Sequence, residues 1–409
     1  MRRVLVLALA VAVVAAACSG ADPGDAGDTG DTGDEETSTT GAEVAAGELP
    51  TDVRSVPDPL PPGDPGDLVA LAPRQGPDVP AGARAWDVLY RSEGVDGDPV
   101  AVSGRVYAPA EGAGENGDRV VVSWAHGTTG VADDCAPSRT GDPVPALARL
   151  LDAGYVVAAT DYEGLGTPGV HPYLVGASEG RSVLDAARAA TRIEGTNAGS
   201  RVVLGGHSQG GHAALFAGGM VDGYAPDLEL VGVAASAPAA ELTTLLRSAV
   251  PISLAFGLVA SAVYAYEATY DELVLEEVLT PAAVERIGVV DEVCLDEVTD
   301  AFAGERTSAW LAANPLDVEA WAVRVAENEP GSMAIPAPVL VTQGTVDFVV
   351  LASSTDTAVA RLCDGPNTVE YRRYPGAGHG DLLAEAGDDV LAWVAERVAG
   401  INAPSTCGG

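Results

Sequence analysis

In "LGGHSQGGHAAL", residues 204–215, Ser208 stands between glycines at 206 and 210, the spacing of a G-x-S-x-G turn. A serine hydroxyl attacks carbonyl carbon only when a base takes its proton, a carboxylate orients that base and N–H groups receive the oxyanion. Five histidines are available, at 126, 171, 207, 212 and 379, and only His379 lies well beyond the serine, in "YPGAGHGD". Where such a turn serves acyl transfer, the partners follow in the order serine, acid, histidine. "PVLVTQGTVDFVV" supplies the acid, Asp347, just past a buried apolar run. Its rivals are Asp364, beside Cys363, and Asp381, two residues from His379 and poorly placed to orient it. One oxyanion N–H is expected from Gln209, directly after the serine. The second is expected from Gly127 or Thr128 in "VVVSWAHGTTG". His126 is read as propping that loop, and His171 and His207 as structural. Neither H-x-x-H nor H-E-x-x-H spacing occurs, so neither a zinc site from His126 and His171 nor any cofactor is expected.

These groups need elements that hold them. "SRVVLGGHSQGGHAALFAGG" reads as strand, tight turn and helix, with Ser208 at the junction. "AWDVLYRS" and "VAVSGRVYAP" alternate apolar and polar residues around the turn-rich "EGVDGDP", an antiparallel pair. "DRVVVSWAHG", "YVVAATDYEGLG", "LELVGVAASAP", "APVLVTQGTVDFVV" and "NTVEYRRYPGAGH" are further strands. Helices are expected in "LARLLDAG", "EGRSVLDAARAATRI" and "DDVLAWVAERVAG". Strands alternating with helices, several of them apolar throughout, predict an α/β fold: a mostly parallel sheet covered on both faces. Ser208, Asp347 and His379 then lie on loops at strand ends, where sites in open α/β sheets gather. Residues 239 to about 333 break the alternation and read as an inserted helical cap. Within it, 249–266 ("AVPISLAFGLVASAVYAY") carries no charge. Pro251 and Gly257 interrupt that run, so it is read as cap surface facing the sheet or a substrate rather than as a membrane span.

Of the 409 residues, 47% are hydrophobic, ample for a core. The net charge is −37, from 59 acidic against 22 basic residues, and every basic residue is arginine. Nucleic-acid binding needs a basic stripe, so that class of partner is excluded. Arg2 and Arg3 followed by an apolar run from Val4 to Ala17 form an export signal over residues 1–18. Ala15-Ala16-Ala17-Cys18 resembles a bacterial lipoprotein cleavage box, which makes Cys18 a lipidation candidate and gives a membrane tether. Residues 19–50 are Gly, Asp, Thr, Ala and Glu with almost nothing apolar, a solvated acidic linker. The catalytic domain is then 51–409. Without Cys18 the cysteines at 135, 294, 363 and 407 form an even set suited to two disulfides in an oxidising compartment, with three connectivities open.

"YRSEGVDGDPVAVSGRVYAP", "SWAHGTTG", "GYVVAATDYEGLGTPGVHPYL", "GGHSQGG", "QGTVDFVV" and "YPGAGHGD", in this order, resemble the secretory lipase family, the lipase-A-like branch of the α/β-hydrolases. The resemblance spans about residues 65–400. It implies an α/β-hydrolase core with a helical cap, Ser208, Asp347 and His379 as the triad, and Gln209 with the 126–130 loop as the oxyanion hole. It also implies an acyl tunnel for which 249–266 is the candidate, and disulfides pairing Cys135 with Cys294 and Cys363 with Cys407. The expected function is an exported or cell-surface serine esterase or lipase acting on small-molecule or lipid esters. The same triad could serve a peptidase, amidase or acyltransferase, and a noncatalytic lipid-binding lipoprotein is the alternative outside enzymes.

Overall fold

The computed structural model describes residues 49–110, 119–141, 144–250 and 255–408. The expected signal, Cys18 and all but the last two residues of the acidic linker lie outside these.

Nine strands form one sheet: β1 (Leu68–Arg74), β2 (Ala83–Glu93), β3 (Pro99–Pro109), β4 (Arg119–Ala125), β5 (Val156–Thr160), β6 (Ala198–His207), β7 (Glu229–Ser236), β8 (Val339–Gly344) and β9 (Val369–Tyr374). Their order is β1-β2-β3-β5-β4-β6-β7-β8-β9. From β5 to β9 every neighbouring pair is parallel, while β1, β2 and β3 add an antiparallel edge. The apolar runs explain the division. "RVVVSWA", "VVAAT" and "VLVTQG" are buried almost end to end because helices cover both faces of the sheet. The β2–β3 hairpin keeps one unbroken register from Ala83↔Pro109 to Glu93↔Pro99, as its alternation and turn residues require.

One face of the sheet is covered by the helices Gly176–Thr191 and Gln209–Tyr224, whose Val183, Leu184, Ala213 and Leu215 pack on Val202, Leu204 and Val233. The other is covered by Leu147–Asp152 and Leu382–Val398, through Leu150, Leu151, Trp393 and Val394 against Val157, Val203 and Leu340.

Between β7 and β8 the chain leaves the sheet for a layer of helices running from Leu242 to Glu327. This layer has its own core, where Phe302 meets Phe256 (5.3 Å between centroids) and Trp310 (5.2 Å) edge-on. The uncharged run at 249–266 is not one element. Leu242–Ala249 and Phe256–Thr269 are separate helices, and no helix among the described residues is long and apolar enough to cross a membrane.

Four elements escaped the sequence reading, two of them the short helices Asp133–Cys135 and Pro137–Thr140. β1 contains Pro73 and pairs with β2 alone, an edge position that tolerates a missing N–H. The helix Ala352–Asp364 buries Ser354 and Thr355, so polar residues on its inner face mask its period.

Two disulfides close the structure. Cys135–Cys294 joins the loop after β4 to the helical layer across a sequence separation of 159, and Cys363–Cys407 pins the C-terminus across 44. Loop-closure entropy makes the longer bridge worth about 5 kcal/mol and the shorter about 4. The double variant Cys135→Ser/Cys294→Ser is therefore expected to lose more thermal stability than Cys363→Ser/Cys407→Ser. Calorimetry of the two variants checks this, and an unchanged Tm in the first would contradict it.

Candidate active site

The serine turn is built by steric exclusion. β6 runs into the helix Gln209–Tyr224 with Ser208 between them at φ 59°, ψ −118°, a left-handed conformation that costs energy for any residue with a Cβ. A Cβ at Gly206 would strike the Gly210 carbonyl, and one at Gly210 would strike the Ala125 carbonyl. Both positions of the motif are thus glycine because the turn is pressed against itself and against the end of β4. The peptide is fixed from the side by Ser208 N–H, which donates to the Ser236 carbonyl on β7 (2.9 Å).

β8 delivers the candidate acid and β9 the candidate base. Asp347 follows β8 and is buried. Its Oδ1 accepts the Val349 and Val350 N–H groups (2.9 Å each), and its Oδ2 faces His379 Nδ1 (2.7 Å) and accepts from Gln343 Nε2 (3.1 Å). Burial pushes the Asp347 carboxyl up. The hydrogen bond and positive charge of His379 and the two N–H groups outweigh this, and the group sits below its ordinary value. It is an anion held ready for a cationic ring. His379 Nε2 in turn lies 2.9 Å from Ser208 Oγ. Asp364 ends the helix Ala352–Asp364, and Asp381 immediately precedes the C-terminal helix; the imidazole reaches Asp347.

His207, next to the serine in sequence, points elsewhere. Its Nε2 lies 3.0 Å from the His379 carbonyl, which accepts its proton, and the two rings pack at 4.5 Å between centroids. Burial, then the neighbouring His379, lower its pKa to about 4, so the ring is neutral and supports the His379 backbone. Gln343 was missed from sequence. It donates to Asp347 and to the Val350 carbonyl (3.0 Å) and accepts from Thr355 (2.7 Å), fixing the acid's loop. The one available signal was a polar residue at the end of a run of buried apolar ones.

The 126–130 loop lies against the turn. A Cβ at Gly127 would stand 3.8 Å from that of Ser208 and 3.5 Å from the His207 carbonyl. The His126 ring nitrogens face the Gly127 (2.6 Å) and Asp161 (3.3 Å) carbonyls, and its own carbonyl accepts from Tyr162 (2.9 Å). Thr128 Oγ1 meets the Tyr173 hydroxyl at 2.9 Å. The Gln209 N–H stands at the start of its helix, where the first amides have no intrahelical acceptor and the helix dipole is positive.

Thr128, Tyr173 and Ser208 are among the few polar residues around an otherwise apolar cavity of about 110 Å³. Leu258, Val259, Ala262, Val263 and Tyr266 of the helix Phe256–Thr269 line it at helical spacing. Leu242, Leu245 and Leu246 come from the preceding helix, and Val349 and Val350 from the loop that carries the acid. The cavity therefore runs from the serine into the helical layer.

The model of one family, the secretory lipases, matches residues 137–406. Among curated relatives, Lipase A of Arthroderma benhamiae is 25% identical over 358 residues, covering 80% of this chain and 73% of that protein. A Mycobacterium tuberculosis protein named "Probable inactive lipase" is 27% identical over 342 residues, covering 79% and 75%. Among solved structures, Candida antarctica lipase A in its closed state superimposes with a TM-score of 0.73 at 21% identity, over 84% of this chain and 85% of that one. The rice cell wall degrading esterase LipA from Xanthomonas oryzae does so with a TM-score of 0.67 at 22% identity, over 82% and 97%. The superpositions place the sheet and its helices in the α/β-hydrolase fold, and the match along most of the chain decides its kinship: this protein belongs to the secretory lipase family, and its activity is carboxylic ester hydrolysis.

Proposed function

We propose that the chain hydrolyses acyl esters through Ser208, His379 and Asp347, with the acyl chain lying in the cavity of the helical layer. The observation that carries this reading is the continuous Asp347–His379–Ser208 hydrogen-bond chain opening onto an apolar cavity. Ser208 Oγ attacks the ester carbonyl as its proton passes to His379 Nε2, and Asp347 stabilises the resulting imidazolium. The N–H of Gln209 and that of Gly127 or Thr128 receive the oxyanion. The alkoxide leaves with the proton from His379, and an acyl-enzyme remains. Water, deprotonated by His379, then releases the acid and restores Ser208. The Mycobacterium relative's name makes catalysis the property to test first, and the intact hydrogen-bond chain favours an active enzyme here.

The cavity sets the substrate class. Each methylene buried in it stabilises binding by about 0.8 kcal/mol, which favours acyl groups of several carbons over acetyl. The test is a series of p-nitrophenyl esters from acetate to palmitate on the wild type and on Ala262→Trp, which fills the cavity from its helical wall. The variant is expected to lose at least ~10-fold in kcat/KM on the longer esters and to keep its activity on acetate. Equal losses along the series would place the acyl chain elsewhere.

The domain plan extends the reading: an export signal over 1–18, an acidic linker over 19–50, and a catalytic domain over 51–409 capped by about 239–333. Lipidation of Cys18 would tether that domain to a membrane at the cell surface. The disulfides and the secretory family support export. Mass spectrometry of the mature N-terminus tests the tether: a diacylglyceryl adduct on Cys18 is expected, and an unmodified N-terminus overturns it.

A further inference from the structure

Beneath the serine turn lies a chain of fully buried polar groups that the triad does not use. Glu179, on the helix Gly176–Thr191, has no exposed surface. Its Oε1 accepts from the Leu174 N–H (2.9 Å) and from Gln209 Nε2 (2.8 Å), and its Oε2 faces His212 Nδ1 (2.8 Å). The other ring nitrogen of His212 faces the Asn328 carbonyl at 2.8 Å. Both ring nitrogens of His212 are thus engaged, and Glu179 and His212 form a fully buried hydrogen-bonded pair. The second N–H of the Gln209 amide points at His171 Nε2 (2.9 Å). Burial lowers the His171 pKa to about 4, so that nitrogen is a free acceptor, and His171 Nδ1–H donates to the Glu163 carbonyl (2.9 Å).

The Gln209 side chain is therefore held from two sides. Gln209 donates both amide protons, one to Glu179 and one to His171, while its own Oε1 has no partner among the described residues. A buried carbonyl left unpaired shows that Glu179, rather than local satisfaction, dictates how the amide lies. Replacing both members of a buried hydrogen-bonded pair by apolar groups of the same shape can be nearly neutral, so stability alone does not account for it. What it holds lies on two sides of the reacting centre. Gln209 follows the nucleophile, and Leu174, at φ 59°, stands in the cavity wall beside Tyr173. Asn328, beyond the helical layer, locks the same segment by accepting the Gly176 N–H (2.9 Å) and donating to Tyr270 (2.8 Å).

We propose that Glu179 is a positioning residue for ester hydrolysis: its carboxylate clamps the Gln209 side chain, and through it the backbone N–H that receives the oxyanion, in register with the cavity wall at Leu174. The inference rests on the role given to Gln209 above. Because the oxyanion exists only after attack, loosening this clamp lowers kcat and leaves substrate binding alone.

The test compares Gln209→Ala, Glu179→Ala and Glu179→Gln on one p-nitrophenyl ester, together with inhibition by an alkyl trifluoromethyl ketone, whose serine adduct carries an oxyanion. Gln209→Ala keeps the backbone N–H and removes only the clamp. It and Glu179→Ala are expected to lose ~10- to 100-fold in kcat with KM within about twofold, and to lose ketone affinity by the same factor. Glu179→Gln keeps an acceptor for both N–H groups and a partner for His212, and is expected to return to within about threefold of wild-type kcat. Should Glu179→Ala fail to fold, Gln209→Ala, which leaves the Glu179–His212 contact in place, carries the comparison. A folded Gln209→Ala with wild-type kcat overturns the proposal, as does a fall in kcat without loss of ketone affinity. If Ser208→Ala is inactive while Gln209→Ala is unaltered, the clamp falls and the nucleophile assignment stands.

Discussion

Ser208→Ala is expected to lower ester turnover by about 10⁴- to 10⁶-fold while the protein folds as before. Removing Oγ removes the atom proposed to attack, and no other side chain lies on the far side of His379 Nε2 to replace it among the hydrogen bonds described. The fold should survive because alanine keeps a Cβ, so the φ 59° turn is no more strained than with serine. The Gly206 and Gly210 contacts that force the turn are untouched. A residual rate above that in water is expected, since the oxyanion donors and the cavity remain. Turnover of a p-nitrophenyl ester, with the thermal midpoint measured alongside, checks both parts. Turnover near that of the wild type would remove Ser208 from the mechanism.

Asp347→Asn carries the next largest effect, a loss of about 10⁴-fold in kcat with KM little changed. The Val349 and Val350 N–H groups claim an acceptor at Oδ1, so an asparagine there turns its carbonyl to them and its NH₂ towards His379. His379 Nδ1 must then accept, its proton moves to Nε2, and Nε2 can no longer take the proton of Ser208. Gln343 Nε2, 3.1 Å from Oδ2, would face another donor, which adds a modest loss of stability. Steady-state kinetics decides the matter, because a mere packing defect would raise KM or lower Tm without a selective collapse of kcat. A kcat within tenfold of wild type would mean that Asp347 does not set the tautomer of His379.

How much of this was legible in the sequence follows from the range of each interaction. The strands β4 to β8 announce themselves through apolar, β-branched runs, because burial on both faces admits nothing else. His379 was legible as a candidate because no other histidine follows the serine's helix, and Asp347 because it comes just after a buried strand. Their order along the chain, after β6, β8 and β9, did the rest. What stayed hidden depends on contacts between distant segments. His207 looks like a base beside Ser208, yet it serves the carbonyl of a residue 172 positions away. Glu179 sits in an unremarkable helix and Asn328 just after another, and only the packing of three elements shows what they hold. The run 249–266 was visible as an apolar stretch, but which side chains face the cavity was decided by the helix starting at Phe256. β1 and the helix Ala352–Asp364 were hidden by Pro73 and by inward-facing hydroxyls.

The most direct test of the central claim is the site and stoichiometry of reaction with a fluorophosphonate, read by mass spectrometry of the digested protein while residual esterase activity is followed. The account predicts a single adduct on the peptide containing Ser208 and activity falling in proportion to its occupancy. An adduct on another residue, or activity that survives full modification of Ser208, would contradict it.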